Sequence, residues 1–89
     1  MQEPYLEITF RHGSVLAAYY YFPREAAQRS ARSERREAGL VVDYDAQGEA
    51  IGIEITAPRQ LTIDTFNRVL TNLGKPPVEE RDLEPLRAA

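Results

Sequence analysis

Residues 40–56, LVVDYDAQGEAIGIEIT, constrain the fold more than any other stretch of the chain. Leu40, Val41, Val42 and Tyr44 are strand formers, Asp45-Ala46-Gln47-Gly48 carry turn chemistry, and Ile51, Ile53 and Ile55 alternate with Gly52, Glu54 and Thr56. A period of two on both sides of a glycine-containing turn predicts a β-hairpin. A turn over Asp45–Gly48 would set Tyr44 opposite Glu49, Val42 opposite Ile51 and Leu40 opposite Ile53, with the apolar side chains on one face. Gly48 is expected in the left-handed region, and Gly39 at a bulge just before the strand.

A second hairpin is expected upstream. Leu6, Ile8 and Phe10 fall on one face of a first strand, and Tyr5, Glu7 and Thr9 on the other. Arg11-His12-Gly13-Ser14 break the pattern, and the apolar run Val15–Phe22 returns before Pro23 stops it. The aromatics from Tyr19 to Phe22 occupy both faces of this strand, one for the core and one for a partner or a covering element. Between Arg24 and Glu37 the chain is polar, with arginines at 24, 29, 32, 35 and 36 and glutamates at 25, 34 and 37. A short helical turn over 24–29 and an exposed edge strand over 30–37 are the readings there, since alternating charges protect a sheet edge from aggregation.

After Pro58 the period changes to about 3.6. Thr62 can cap a helix with Asp64 in its first turn, and Ile63, Phe66, Val69, Leu70 and Leu73 form one stripe. Gly74 stops it, and Pro76 and Pro77 prevent its continuation. The last stretch offers Val78, Leu83 and Leu86 as anchors, interrupted by Pro85. The expected architecture is α+β: a four- or five-stranded, mainly antiparallel sheet of two β-hairpins, then one C-terminal amphipathic helix on one face. Residues 1–75 would make the domain, and 76–89 a Pro-containing tail that packs or contacts a partner.

Length and composition narrow the chemistry. A chain of 89 residues has room for one domain. It lacks cysteine and has His12 as its single histidine, which excludes thiolate metal sites, zinc fingers, redox pairs and disulfides. No cofactor is expected. The formal net charge is −3, so no global basic field would hold a nucleic acid. The opening MQEPYLEITF is not a cationic, apolar leader, and no run approaches the roughly 18 apolar residues of a membrane span. A cytoplasmic protein without a membrane partner is expected.

Four constellations carry chemistry on paper. Asp43, Asp45, Gln47, Gly48 and Glu54 stand at positions 1, 3, 5, 6 and 12 of a calcium-loop template, with Gln47 departing from it. A hairpin would carry Glu54 away from Asp45. His12 and Ser14 with Asp43 or Asp45 supply the residue types of a hydrolytic triad, without the glycine-rich elbow that usually presents the serine. Asp43 and Glu54 would form a carboxylate pair if they were cross-strand neighbours; a solvent-facing polar pair is the plainer reading. Arg29, Arg32, Arg35 and Arg36 form a basic cluster, which Glu34 and Glu37 dilute into a solvated edge with local ion pairs.

At residues 38–58, AGLVVDYDAQGEAIGIEITAP resembles a small bacterial domain-of-unknown-function family, number twenty-two eighty-three, through Asp43, Asp45, Gly48, Gly52, Ile53 and Glu54. The first hairpin departs from that pattern, with Phe10-Arg11-His12-Gly13 and Leu16-Ala17-Ala18-Tyr19 where members tend to have Tyr-Asp near an acidic residue and Leu-Tyr. The resemblance implies a small β-rich domain and no activity.

The functional expectation is a non-catalytic protein-interaction module, acting as a homodimer or with a partner protein. Tyr19, Tyr20, Tyr21, Arg32, Arg35 and Arg36 would form its surface. The alternative is a small-ligand or metal-dependent enzyme using Asp43, Asp45 and Glu54. A third reading is weak nucleic-acid binding through Arg29 to Arg36.

Overall fold

The fold, taken from a computed structural model, is described for residues 3–23 and 28–87. Strands β1 (Tyr5–Arg11), β2 (Ser14–Tyr21), β3 (Arg32–Glu37), β4 (Leu40–Tyr44) and β5 (Ala50–Ile55) form one sheet in the order β1-β2-β5-β4-β3. Every neighbouring pair is antiparallel. Helices α1 (Ile63–Asn72) and α2 (Glu80–Leu83) follow, with 3-10 turns at Pro58–Gln60 and Glu84–Arg87. The architecture is α+β. Tight connections join β1 to β2, β3 to β4 and β4 to β5, and α1 is joined by a second, one-turn helix where a single helix was expected.

In the β1–β2 turn, His12 and Gly13 have positive φ, 53° and 79°, as a two-residue primed turn requires. Phe10, expected on one face with Leu6 and Ile8, does not join them against the core. Thr9 pairs with Ala17 but Phe10 with Val15, so Leu16 is an extra residue at a bulge. Past that point Phe10 is 56% and Leu16 50% exposed.

The β4–β5 hairpin forms with a different register from the expected one. Val42 pairs with Ile53 and Leu40 with Ile55, two residues further along β5 than the expected turn would give. The loop is one residue shorter than the expected turn, because Asp45 and Glu49 bond across it, Asp45 N–H to Glu49 C=O at 2.9 Å, which moves the pairing by one. A bulge follows, since Asp43 pairs with Gly52 but Tyr44 with Ala50. A shift of two preserves side-chain parity, so the apolar set stays on one face. Gly48 and Gly39 both have φ of +83°. The charged segment RSERRE is β3, an edge strand with a bulge between Arg35 and Glu37. The helical turn read over 24–29 falls mostly on residues outside the described ones.

The core lies on one face of the sheet. Tyr20, Phe22, Leu40, Val42, Ile53 and Ile55 meet Phe66, Val69 and Leu70 of α1 and Leu83 and Leu86 of the C-terminal segment. Thr62 caps α1, its side chain accepting the Thr65 N–H at 3.2 Å. Gly74, at φ +73°, ends the helix in a Schellman motif. There Gly74 N–H donates to Thr71 C=O at 3.0 Å and Lys75 N–H to Leu70 C=O at 2.8 Å.

The C-terminal segment is built into this core. The Asn67 amide grips Val78 on both sides, donating to its C=O at 3.0 Å and accepting its N–H at 2.8 Å. Glu79 and Asp82 make a reciprocal capping box for α2. Leu83 and Leu86 have no exposed surface. Arg87 then donates to the Leu61 C=O at 2.6 Å, tying the segment to the connection before α1.

Candidate functional site: the open face of the sheet

The face opposite the core is organised in two rows that cross all five strands. One row reads Tyr5, Tyr21, Gly52, Asp43, Ser33, and the next reads Glu7, Tyr19, Glu54, Val41, Arg35. Only the glycine among these ten residues is buried. Strand alternation puts Tyr20 on the other face, 9% exposed, with its ring edge-on to Phe66 at 5.2 Å. The three consecutive tyrosines therefore have separate places, Tyr20 in the core and Tyr19 and Tyr21 on the open face.

The aromatic rings of the open face are fixed. Tyr5 stacks on Tyr21 with centroids 4.6 Å apart, and Tyr21 meets Tyr19 at 4.5 Å. Tyr21 donates its hydroxyl to Glu7 at 2.9 Å. Tyr19 leans diagonally across Gly52 and donates to Asp43 at 2.6 Å, while Ser33 donates to the other oxygen of the same carboxylate. This crossing requires glycine: a Cβ at Gly52 would stand 2.3 Å from the Tyr19 ring. Glu7, Asp43 and Glu54 supply three carboxylates to these two rows against one cation, Arg35.

The three carboxylates of the enzyme reading have unlike surroundings. Asp43 and Glu54 share the open face on adjacent strands, diagonally offset, since Asp43 pairs with Gly52 and Glu54 with Val41. Asp45 is 6% exposed at the head of the β4–β5 turn. Its Oδ1 accepts the N–H groups of Gln47 and Glu49 at 2.9 Å each, and its Oδ2 accepts from Gln28 at 2.9 Å. That carboxylate is spent on the turn. No cluster of three or more His, Cys, Asp or Glu with metal-holding geometry occurs among the described residues. His12 lies in the β1–β2 turn and Ser14 opens β2, seven residues along that strand from Tyr21, whose row holds Asp43, roughly 23 Å of strand.

The Gln28 amide, and next the Glu49 N–H, hold the Asp45 carboxyl below the usual carboxylate range, against the opposing effect of burial. A depressed folded-state pKa contributes stability above the unfolded value, near 3.9, that is lost as pH falls through the folded value. Asp45→Asn is expected to flatten this dependence: its melting temperature should fall less than the parent's between about pH 6 and pH 3, as thermal melts across that range would show.

The basic cluster is also divided. Arg32 lies over the Tyr44 ring, 4.2 Å from its centroid, and pairs with Glu34. Arg36 donates to the Tyr44 hydroxyl and approaches Glu34 at 3.6 Å. Arg35 projects instead on the open face, and Arg29 is exposed before β3. Sequence reasoning missed Tyr5, Glu7 and Gly52 as members of the open face. The cross-strand pairing that joins them to Tyr19 and Tyr21 is nonlocal, although the matching parity of Tyr5 and Glu7 in β1 was visible. No family model, curated protein or solved structure matches the chain.

Proposed function

We propose that this protein is a non-catalytic interaction module whose open sheet face receives a cationic segment of a partner protein. The observation that carries the reading is the tyrosine platform of Tyr5, Tyr21 and Tyr19, with its hydroxyls anchored on Glu7 and Asp43. Rings held in place lose little entropy on binding, and tyrosines of this kind supply much of the energy of protein interfaces. Carboxylates beside aromatic faces suit guanidinium and ammonium groups through ion pairing and cation–π contact. The same acidity disfavours phosphate, and it disfavours a two-fold dimer through this face, which would set carboxylates against carboxylates. The likeness of residues 38–58 to the domain-of-unknown-function family belongs to this proposal as a matter of fold and adds no activity.

The reading is tested with an arginine-rich peptide titrated into the ¹⁵N-labelled chain. Expected are saturable amide shifts on β1, β2 and β5 that weaken with salt, and weaker binding in Glu7→Gln/Glu54→Gln. Shifts confined to the α1 side, or affinity unchanged in the double variant, would reject the face as the docking surface.

A further inference from the structure

Beyond the open face, a cleft lies on the core side of the sheet. We propose that the cleft between the β1–β2 side of the sheet and the turn after α1 binds a small apolar monoanion, with its carboxylate on the Lys75 ammonium and the Tyr20 hydroxyl. The cleft measures about 420 Å³ and is floored by Phe22 and Leu70, with Pro77 in its wall. That volume lies within the roughly 300–1,000 Å³ typical of small-molecule sites. Its wall is fixed in advance, because the Schellman motif orients Lys75 and the Asn67 amide grips Val78. A preorganised wall reduces the ordering cost of binding.

Two side chains that carry donors line this apolar space. Lys75, the single lysine of the chain, holds its ammonium 4.9 Å from the Phe22 ring centroid. Among the described residues it makes no ion pair. Tyr20 also lines the cleft, its ring locked edge-on between Phe22 at 5.8 Å and Phe66 at 5.2 Å. Burial, then the Asp82 carboxylate, push its phenol above the ordinary value, so it remains a proton donor at neutral pH. Asp82 sets the ligand's charge limit. It lines the same cleft, and one of its oxygens accepts the Glu79 N–H at 2.9 Å. A second negative charge on the ligand would face this carboxylate, and a cation would face Lys75. An apolar body with one carboxylate, such as a short-chain or aromatic acid, meets neither penalty.

The test is a ¹⁵N–¹H NMR titration of the full chain with octanoate, and with 1-octanol as the neutral probe of matched body. Octanoate is expected to give saturable amide shifts at Leu6, Tyr20, Lys75 and Val78 and to bind about tenfold tighter than octanol, the ratio that one charge-assisted hydrogen bond readily supplies. Lys75→Met keeps the backbone cap and should remove that advantage while leaving octanol binding within about twofold; Asp82→Asn should tighten octanoate a few-fold. Opposite signs from the two variants cannot arise from a general loosening of the fold. Non-saturable shifts, shifts outside the cleft, equal affinity for the two probes, or an unchanged octanoate affinity in Lys75→Met would each overturn the proposal.

Discussion

A chain ending at Pro77 is expected to lose most of its folding stability, seen as a urea transition displaced toward zero denaturant or a thermal melt without a cooperative step. The truncation removes Leu83 and Leu86, both without exposed surface, the Val78 backbone held by Asn67, and the Arg87 bond to the Leu61 carbonyl. Cutting one buried leucine back to alanine costs about 2–5 kcal/mol, so losing both side chains with their backbone removes at least ~4 kcal/mol. Domains have roughly 5–15 kcal/mol in total, with short chains toward the low end. Leu86→Ala alone should lower stability by about 2–5 kcal/mol and the melting temperature by roughly 10 °C or more. A truncated chain that melts like the parent would show that the segment is an appendage to a core complete without it.

That segment also marks where sequence reading stops. The β4–β5 hairpin and α1 were legible because each repeats one period over many residues and ends in glycine or proline punctuation. Leu83 and Leu86 offer two apolar residues around a proline, too few to distinguish a packed segment from a mobile one. What fixes them is nonlocal: an asparagine on the polar side of the α1 stripe and carbonyls left by the 3-10 turn before it. Sequence reading puts Tyr20 with Tyr19 and Tyr21 on one surface although strand parity sets it apart, because which parity faces the core depends on β2 pairing with β5 and on α1 covering one side. The Tyr19–Gly52–Asp43 crossing was illegible for the same reason. Gly52 reads in sequence as a weak point in a strand, and only the pairing shows that a ring from another strand needs the space.

Gly52→Ala is expected to destabilise the protein by ~1–3 kcal/mol, and the sign should reverse when Tyr19 is already alanine. The new methyl would lie 2.3 Å from Cε1 of Tyr19, 2.6 Å from its hydroxyl oxygen and 2.7 Å from Cζ. The ring must leave, and with it goes the 2.6 Å hydrogen bond to Asp43. Once Tyr19→Ala has removed the ring, the three atoms nearest the methyl are gone, and alanine in a strand is favoured over glycine by about 0.5–1 kcal/mol because it loses less backbone entropy on folding. The two substitutions should therefore couple by roughly 1.5–4 kcal/mol in a double-mutant cycle measured by urea unfolding. An equal cost of Gly52→Ala in both backgrounds would locate the requirement in the β5 backbone, and the tyrosine platform would then lose its claim to a built-in geometry.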